Sequence, residues 1–176
     1  PGNDPTPSFD FSSDEPGSSF ECKVDAAPFT PCSPPHSLAA LADGQHTFAV
    51  RAIDAAGNVE GTPRTRTFLI DTAAPDTRIT AGPEGATRER AAAFGFTSTE
   101  PGSSYECSID GAPFTACGTT ATYDGLADGP HAFRVRATDA AGNPDPPPAA
   151  RDFTVDGAVS GLLVKAKRKQ RAKRNR

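Results

Sequence analysis

The chain has 176 residues, of which 36% are hydrophobic, and it contains 18 prolines and 16 glycines. This length is sufficient for two small domains, and the many prolines and glycines favour short strands joined by turns over long helices. The sequence contains no run of residues that is long and apolar enough to cross a membrane as a helix.

The charge is distributed unevenly along the chain. Residues 165–176 carry eight of the 18 basic residues and no acidic one, so residues 1–164 carry ten basic against 22 acidic residues, a net charge of −12. The acidic body and the basic tail therefore need separate explanations. Because the chain begins at Pro1 rather than Met, we expect it to be a mature piece or a fragment of a longer protein.

Short strands are predicted along most of the chain. Hydrophobic and polar residues alternate, as in strands with one buried face, at positions 9–11, 20–24, 48–52 and 68–70 and again at 94–96, 105–109, 133–137 and 153–155. A further strand is predicted at Thr77–Thr80. Turns are predicted at Asp43-Gly44, Asp110-Gly111 and Asp128-Gly129, and the D-A-A-G-N segments at 54–58 and 139–143 predict a hairpin turn before each last strand.

The chain repeats itself at an offset of 85 residues without a gap, and 34 of 63 positions are identical between residues 9–71 and 94–156. We therefore predict two domains of one fold, called repeat one (residues 1–71) and repeat two (residues 72–157). Residues 158–176 are predicted to be a basic tail or the start of a truncated following domain. About seven strands in each repeat favour an antiparallel β-sandwich over a barrel.

Two stretches of each repeat resemble the bacterial Ig-like repeats of large exported proteins. In repeat two they are E-P-G-S-S-Y-E-C-S-I-D-G-A-P-F-T-A-C and G-L-A-D-G-P-H-A-F-R-V-R-A-T-D-A-A-G-N. The D-T-A-A-P segment at 71–75 is similar to the junctions between such repeats, and the resemblance covers residues 5–157. It implies an all-β fold of two tandem Ig-like or fibronectin-like antiparallel β-sandwiches, and it implies no particular activity.

Repeat one lacks a counterpart of the strand predicted at Thr77–Thr80, because that counterpart would precede Pro1. We therefore expect the chain to be cut from a longer array of such repeats. A missing strand leaves the edge of a sheet unpaired. Repeat one is accordingly predicted to be less stable than repeat two.

The four cysteines form two pairs at the same spacing. Cys22 and Cys32 are ten residues apart, as are Cys107 and Cys117, so the simplest pairing is a disulfide within each repeat. Each disulfide is expected to add roughly 2–3 kcal/mol of stability, and both indicate an oxidising compartment. Zinc binding lacks a second ligand cluster at a suitable spacing, and thiol redox chemistry lacks a C-x-x-C motif, so both alternatives are disfavoured.

No catalytic motif is found in the sequence. His46 and His131 occupy equivalent positions before the same strand, and we interpret them as packing residues. A sugar-binding face typically uses exposed Trp or Tyr, but the chain has no Trp and two Tyr, of which Tyr105 replaces Phe20 of the other copy. We therefore expect no enzyme activity and rank carbohydrate binding second.

A cation site is predicted where the linker enters repeat two. In an Ig-type sandwich, the loop with Glu100 and the loop with Asp139 and Asn143 lie at the end where the chain enters. Asp71 arrives there with the linker, and Asp43 is expected to approach from repeat one. Such oxygen ligands suit Ca²⁺, and the resemblance supports Asp71 and Asp139 best, since related Ig-like adhesin repeats stiffen their junctions with calcium. The alternative is that these residues are turn formers.

The basic tail has two interpretations. In the first, Leu162–Val164 begin a strand of a truncated following domain, or the basic run is simply solvated. In the second, the tail attracts cell-wall or host surface polymers through its positive charge. Nucleic acid is disfavoured as a partner, because no aromatic residues are interleaved with the basic ones for base stacking.

Taken together, these features predict a non-catalytic structural or adhesive module, a spacer or stalk of an exported bacterial protein that is secreted or displayed at the cell surface. Its expected partners are neighbouring repeats of the same chain. The alternative is a ligand-binding accessory module of a secreted enzyme, for carbohydrate or cell wall. An exposed aromatic or polar face common to both repeats would favour that alternative.

Overall fold

The structure, a computed structural model, describes residues 1–157, and the regular elements within that range are β-strands. Repeat one contains β1 (Ser8–Phe9), β2 (Ser19–Val24), β3 (Thr30–Cys32), β4 (His36–Ser37), β5 (Gly44–Ile53) and β6 (Arg64–Ile70). Repeat two contains β7 (Thr77–Ala81), β8 (Gly85–Thr87), β9 (Ala92–Ser98), β10 (Ser104–Ile109), β11 (Thr115–Cys117), β12 (Thr120–Tyr123), β13 (Gly129–Thr138) and β14 (Ala149–Val155). The predicted all-β fold is confirmed.

Repeat two is a sandwich of two sheets. The larger sheet has the strand order β11-β10-β13-β14-β8, and the smaller sheet has the order β12-β9-β7. Neighbouring strands run antiparallel except for β14 and β8, which run parallel. The predicted sandwich is therefore confirmed, with eight strands in this repeat rather than about seven.

The core of repeat two lies between its sheets. The Phe94 ring of β9 stacks on the Phe133 ring of β13, with ring centroids 3.9 Å apart. Phe133, Val135 and Ala137 are fully buried, whereas Arg134 and Arg136, which alternate with them in β13, are partly exposed. This alternation arises because successive side chains of a strand point to opposite faces of the sheet.

Repeat one forms a similar sandwich with fewer strands. Its sheets have the orders β3-β2-β5-β6 and β1-β4. At the offset of 85 residues these strands correspond to β11-β10-β13-β14 and β9-β12. Phe9 stacks on Phe48 with ring centroids 4.3 Å apart, as Phe94 stacks on Phe133. Each repeat therefore has a hydrophobic core of its own.

Strand β7 has no counterpart among the described residues of repeat one. In repeat two, β9 lies between β12 and β7 and is seven residues long. Its counterpart β1 pairs with β4 alone and is two residues long. At the position of β8, the described residues of repeat one form a single parallel bridge between Gly2 and Ile70. Within residues 1–157, β1 therefore has one neighbouring strand where its counterpart β9 has two.

Each disulfide joins two neighbouring strands. The Cys22–Cys32 bond connects β2 with β3, and the Cys107–Cys117 bond connects β10 with β11. The hairpin of repeat two turns at Asp110-Gly111, where φ is 53° and 76°. Positive φ at both central residues is the conformation that an Asp-Gly pair favours in a tight hairpin.

Candidate functional site

The linker between the repeats (residues 71–76) is held at both of its ends. On the side of repeat one, the Asp43 carboxylate accepts hydrogen bonds from the Thr72 N–H at 3.0 Å and from the Thr72 hydroxyl at 2.9 Å. On the side of repeat two, the Thr77 N–H donates to the Asp145 carboxylate at 3.0 Å. Pro75 between them is fully buried. The linker is therefore anchored to both folded repeats.

The loop between β13 and β14 is built around one carboxylate. Asp139 Oδ1 accepts hydrogen bonds from the backbone N–H groups of Ala141, Gly142 and Asn143 at distances of 2.8, 2.7 and 2.8 Å. Burial opposes the charged form, yet these bonds and the one from the Asn143 side chain lower the pKa of the Asp139 carboxyl below its ordinary value. The hydrogen bonds that hold this turn are therefore donated by backbone and side-chain N–H groups of the loop itself.

Asn143 connects this turn to the linker. Its side-chain N–H₂ group donates to Asp139 Oδ2 at 2.7 Å and to the Asp71 carbonyl oxygen at 2.8 Å. Asn143 is 8% exposed; its bond to Asp139 is buried, and its bond to Asp71 is partly buried. A single amide thus fixes the end of the linker against the upper loop of repeat two.

Three carboxylates converge beside this amide. One carboxylate oxygen from each of Asp71, Glu100 and Asp139 lies within 4.8 Å of the others. Partial burial, together with the negative charges of Asp71 and Asp139, raises the pKa of Glu100. None of the three forms an ion pair within residues 1–157. Their charges therefore repel one another, which is the electrostatic condition that attracts a cation.

The structure does not bring all five predicted site residues together. The carboxylates of Asp71, Glu100 and Asp139 form the group, and Asn143 lies against it. Asn143 directs its N–H₂ group, a hydrogen-bond donor, towards Asp71 and Asp139. Asp43 does not join them, because its carboxylate is bound to Thr72 at the start of the linker. The expectation that Asp43 approaches the same site is therefore corrected.

The histidines at the start of the long strands have polar roles in addition to packing. His131 Nδ1 lies 2.7 Å from the Asp110 carboxylate, and its Nε2 lies 2.8 Å from the Ala127 carbonyl oxygen. Because each ring nitrogen faces an acceptor, the bonds to Ala127 and Asp110 raise the pKa of His131. His46 and Asp25 form the equivalent pair at 2.8 Å. The sequence signal for this pair was that the aspartate precedes the histidine by 21 residues in both repeats.

One face of the larger sheet carries the same charged and aromatic group in both repeats. In repeat two, the Arg136 guanidinium lies 4.5 Å from the Phe114 ring centroid and pairs with Glu106 at 2.7 Å. In repeat one, the Arg51 guanidinium lies 4.2 Å from the Phe29 ring centroid and forms an ion pair with Glu21 at 2.6 Å. Sequence reasoning missed this face, because Phe29 and Phe114 follow turn residues and do not alternate with the strand pattern.

No protein-family model matches the chain, and no curated protein matches it in sequence. Among solved structures, it is similar to the fibronectin(III)-like modules of Clostridium thermocellum CbhA, with a TM-score of 0.53 and 14% identity over 90% of this chain and 89% of that chain. It is also similar to a tetra-tandem repeat in the extending region of a large adhesion protein, with a TM-score of 0.35 and 18% identity over 80% of this chain and 42% of that one. For a 1.5-MDa bacterial ice-binding adhesin, the TM-score is 0.42 at 16% identity, over 79% of this chain and 53% of that one.

At these identities the similarity shows the fold alone. The chain has an Ig-like or fibronectin-like β-sandwich fold, and it spans about half the length of the two adhesion-protein structures that it matches. Within residues 1–157, no helix is long and apolar enough to span a membrane.

Proposed function

We propose that the chain is a non-catalytic structural or adhesive module, a spacer or stalk segment of a bacterial protein exported to the cell surface. The observation that carries the proposal is the anchored linker, bonded through Thr72 to Asp43 and through Asp71 to Asn143. A spacer holds its two ends at a fixed distance only if the angle between its domains is restricted. Hydrogen bonds on both sides of a short linker restrict that angle. The two disulfides support an extracytoplasmic setting, because such bonds persist in oxidising compartments.

Small-angle X-ray scattering of the wild-type chain tests the spacer function. We expect a narrow distribution of distances between the repeats. Asp43→Ala and Asn143→Ala should each broaden it, because each removes a bond that holds the linker. Asn58→Ala is the matched control, since Asn58 forms the same turn in repeat one without a linker beside it. A wild-type distribution as broad as that of the Asp43→Ala variant would contradict the proposal.

The finer form of the proposal adds a calcium ion at the junction, held by Asp71, Glu100 and Asp139. These residues come from the linker and from two separate loops of repeat two, so an ion bound to all three ties the linker to that repeat. Carboxylate oxygens are the ligands that Ca²⁺ prefers. A divalent cation also relieves the repulsion between three carboxylates held close together.

Calorimetric titration of metal-free protein with calcium chloride tests the cation. One bound equivalent and a higher melting temperature are expected, because a ligand that binds only the folded state stabilises it. Asp71→Asn combined with Glu100→Gln should abolish both effects while leaving the Asp139 turn intact. Glu15→Gln, the same change in repeat one, should leave binding unchanged. Absence of binding to the wild type would identify the acidic residues as turn formers and would leave the spacer proposal standing.

The second candidate function is ligand binding, as a carbohydrate-binding or cell-wall-binding accessory module of a secreted enzyme. It is favoured by the face shared by both repeats, where Arg136 lies over Phe114 and Arg51 over Phe29. Retention on immobilised polysaccharides and wall polymers is the test. If this face binds them, changing both arginines to alanine should abolish retention. Retention lost only on deletion of residues 165–176, which lie outside the described part of the chain, would assign the binding to the basic tail.

A further inference from the structure

The imidazole ring of His46 ties the start of β5 to two other parts of repeat one. Its Nδ1 lies 2.8 Å from the Asp25 carboxylate, in the turn between β2 and β3, and its Nε2 lies 2.9 Å from the Ala42 carbonyl oxygen, in the loop between β4 and β5. The ring also packs against the Phe68 ring of β6, with centroids 5.8 Å apart. His46 thus joins three elements at the end of repeat one from which the linker leaves.

The Ala42 carbonyl that accepts this bond lies next to the residue that holds the linker. Asp43 follows Ala42 directly, and its carboxylate accepts the two hydrogen bonds from Thr72. Both residues lie between β4 and β5, outside any strand. A bond from the ring to Ala42 therefore fixes the backbone one residue before the carboxylate. In this way His46 is connected to Thr72 of the linker.

Both ring nitrogens of His46 face oxygen acceptors, so only the protonated ring satisfies both. A neutral imidazole has one N–H donor and one unprotonated nitrogen. The Asp25 carboxylate is the stronger acceptor, because it is charged and the Ala42 carbonyl is not. When the ring loses a proton, the remaining proton therefore stays on Nδ1. The unprotonated Nε2 then faces the carbonyl oxygen, and the two lone pairs repel each other.

The surroundings of the ring contain one charged group within residues 1–157, the Asp25 carboxylate. The Thr47 N–H donates to the same carboxylate at 2.8 Å. The bonds from His46 and Thr47 lower the pKa of the Asp25 carboxyl, so Asp25 stays charged while His46 titrates. The other two groups against the ring, the Phe68 side chain and the Ala42 carbonyl, do not titrate. The bonds to Asp25 and Ala42 raise the pKa of His46 above its ordinary value of 6.5.

The counterpart of Asp43 in repeat two has a second support. Asp128 follows the carbonyl that faces His131 Nε2, and it also accepts a hydrogen bond from the Arg90 guanidinium at 2.8 Å. Repeat one has Pro5 at the position of Arg90. Asp43 forms no ion pair in the part of the chain that the structure describes. The loop of repeat one therefore depends more strongly on its histidine than the loop of repeat two does.

We propose that His46 makes the linker pH-sensitive: the protonated ring holds the Ala42–Asp43 segment and, through it, Thr72, and deprotonation releases this segment and frees the angle between the repeats. The inference rests on the proposed spacer function and adds the condition under which the spacer is stiff. The contribution of His46 is complete below pH 6.5 and is lost as the pH rises through its raised pKa. The module is thus stiffer in acidic than in alkaline surroundings.

Nuclear magnetic resonance of the wild-type chain tests the ring itself, with a chelator present so that no bound calcium contributes. Long-range proton–nitrogen spectra show which ring nitrogen carries a proton. His46 should be doubly protonated at low pH and should keep its proton on Nδ1 after titration. The Thr72 amide signal should shift with the same midpoint. A neutral His46 with its proton on Nε2, or a Thr72 signal that does not follow the titration, would overturn the proposal.

Hydrogen exchange at the Thr72 amide tests the connection to the linker. His46→Phe keeps a ring against Phe68 and removes both donors. Below pH 6.5, Thr72 should exchange about fivefold faster in this variant than in the wild type, the factor that corresponds to the loss of one ordinary hydrogen bond. Well above the pKa of His46 the two should agree. His131→Phe, the same change in repeat two, is the matched control and should leave Thr72 unchanged.

Three results of the exchange experiment would overturn the proposal. The first is equal exchange of Thr72 in the wild type and in His46→Phe below pH 6.5. The second is an equal acceleration in His131→Phe. The third is an acceleration of the β2 amides as large as that of Thr72, because repeat one would then open as a whole rather than at the linker.

Small-angle X-ray scattering of the calcium-free wild type across the same pH range separates this inference from the spacer proposal. We expect a narrow distribution of distances between the repeats below pH 6.5 and a broader one after His46 has titrated. A distribution that stays narrow at every pH would overturn the pH sensitivity and leave the spacer proposal standing. A distribution that is broad at every pH would overturn both. Broadening with pH that persists in His46→Phe would assign the effect to another group and overturn the role of His46.

Discussion

The two repeats share 34 of 63 aligned residues, yet they bury those residues to different extents. Phe94 is 1% exposed and Val135 is 0% exposed, whereas their identical counterparts Phe9 and Val50 are only partly buried. The element that separates the two environments is β7, the edge strand of the smaller sheet of repeat two. Identical side chains thus differ in burial because β7 extends the smaller sheet of repeat two, whereas within residues 1–157 no strand extends the corresponding sheet of repeat one.

The D-A-A-G-N turn also has the same sequence in both repeats but different surroundings. In repeat one, Asp54 accepts bonds from the Asn58 backbone and side chain, as Asp139 does from Asn143. Asn58 is exposed, whereas Asn143 is 8% exposed and also bonds the linker. The five residues build a turn in both places, and only the arriving linker makes one of the turns part of a junction.

The largest expected difference between the repeats follows from truncating the stacked phenylalanines. Phe94→Ala should lower the free energy of unfolding of repeat two by about 3–5 kcal/mol, because it leaves a cavity in a closed core. Phe9→Ala should cost repeat one clearly less, since the Phe9 site is already open to solvent. Both tyrosines lie in repeat two, so tyrosine fluorescence during denaturation follows that repeat, and circular dichroism follows both. Equal losses in the two repeats would show that β7 does not close the core.

The two disulfides are expected to contribute equally to the stability of the two repeats. Replacing both cysteines of a pair with alanine should cost roughly 2–3 kcal/mol in either repeat, because each bond closes a loop of the same length. Chemical denaturation of the two double variants measures the losses. A much larger loss in repeat one would show that its bond also holds native contacts that β7 supplies in repeat two.

Removal of the Asn143 side-chain amide should produce a smaller difference in stability between the repeats. Asn143→Ala should cost about 1 kcal/mol more than Asn58→Ala, because it removes one additional, partly buried hydrogen bond, the bond to the Asp71 carbonyl. Thermal unfolding of the two variants measures this difference. Indistinguishable melting temperatures would mean that the linker is not held by Asn143.

Both histidine–aspartate pairs should respond to pH in the same direction. The hydrogen bonds to Asp25 and Ala42 raise the pKa of His46 above its ordinary value of 6.5, so its contribution is complete below pH 6.5 and is lost as the pH rises through the raised value. The bond from His46 lowers the pKa of Asp25 below 3.8, so that contribution is present above pH 3.8 and is lost as the pH falls through the lowered value.

Melting temperatures of the wild type and of a His46→Gln, His131→Gln variant, recorded across this range, test the histidine effect. The wild type should lose its advantage over the variant as the pH rises above 6.5. A constant difference at all pH values would show that the histidines act through packing alone.

The fold class could be predicted from the sequence because the strand pattern and the Asp-Gly turns are local signals. The internal repeat shows most of these signals twice, at equivalent positions. The sequence also predicted that Glu100 and Asp139 meet near Asp71, since Ig-type topology places those loops together. It did not predict the role of Asp43, because the bond to Thr72 depends on the path of the linker. The stacked Arg136–Phe114 pair was missed for a similar reason, since it forms across a turn and a distant strand.

Strand β7 closes the core of repeat two, and we therefore predict that, within residues 1–157, repeat two is more stable than repeat one. Native-state hydrogen exchange of the chain, read by mass spectrometry, measures the stability of each repeat separately. Amide groups of β5 should exchange faster than those of the equivalent β13, and exchange should be fastest at residues 8–13, which correspond to the part of repeat two that includes the β7-paired half of β9. Equal protection of β5 and β13, with residues 8–13 as slow as β9, would contradict the claim.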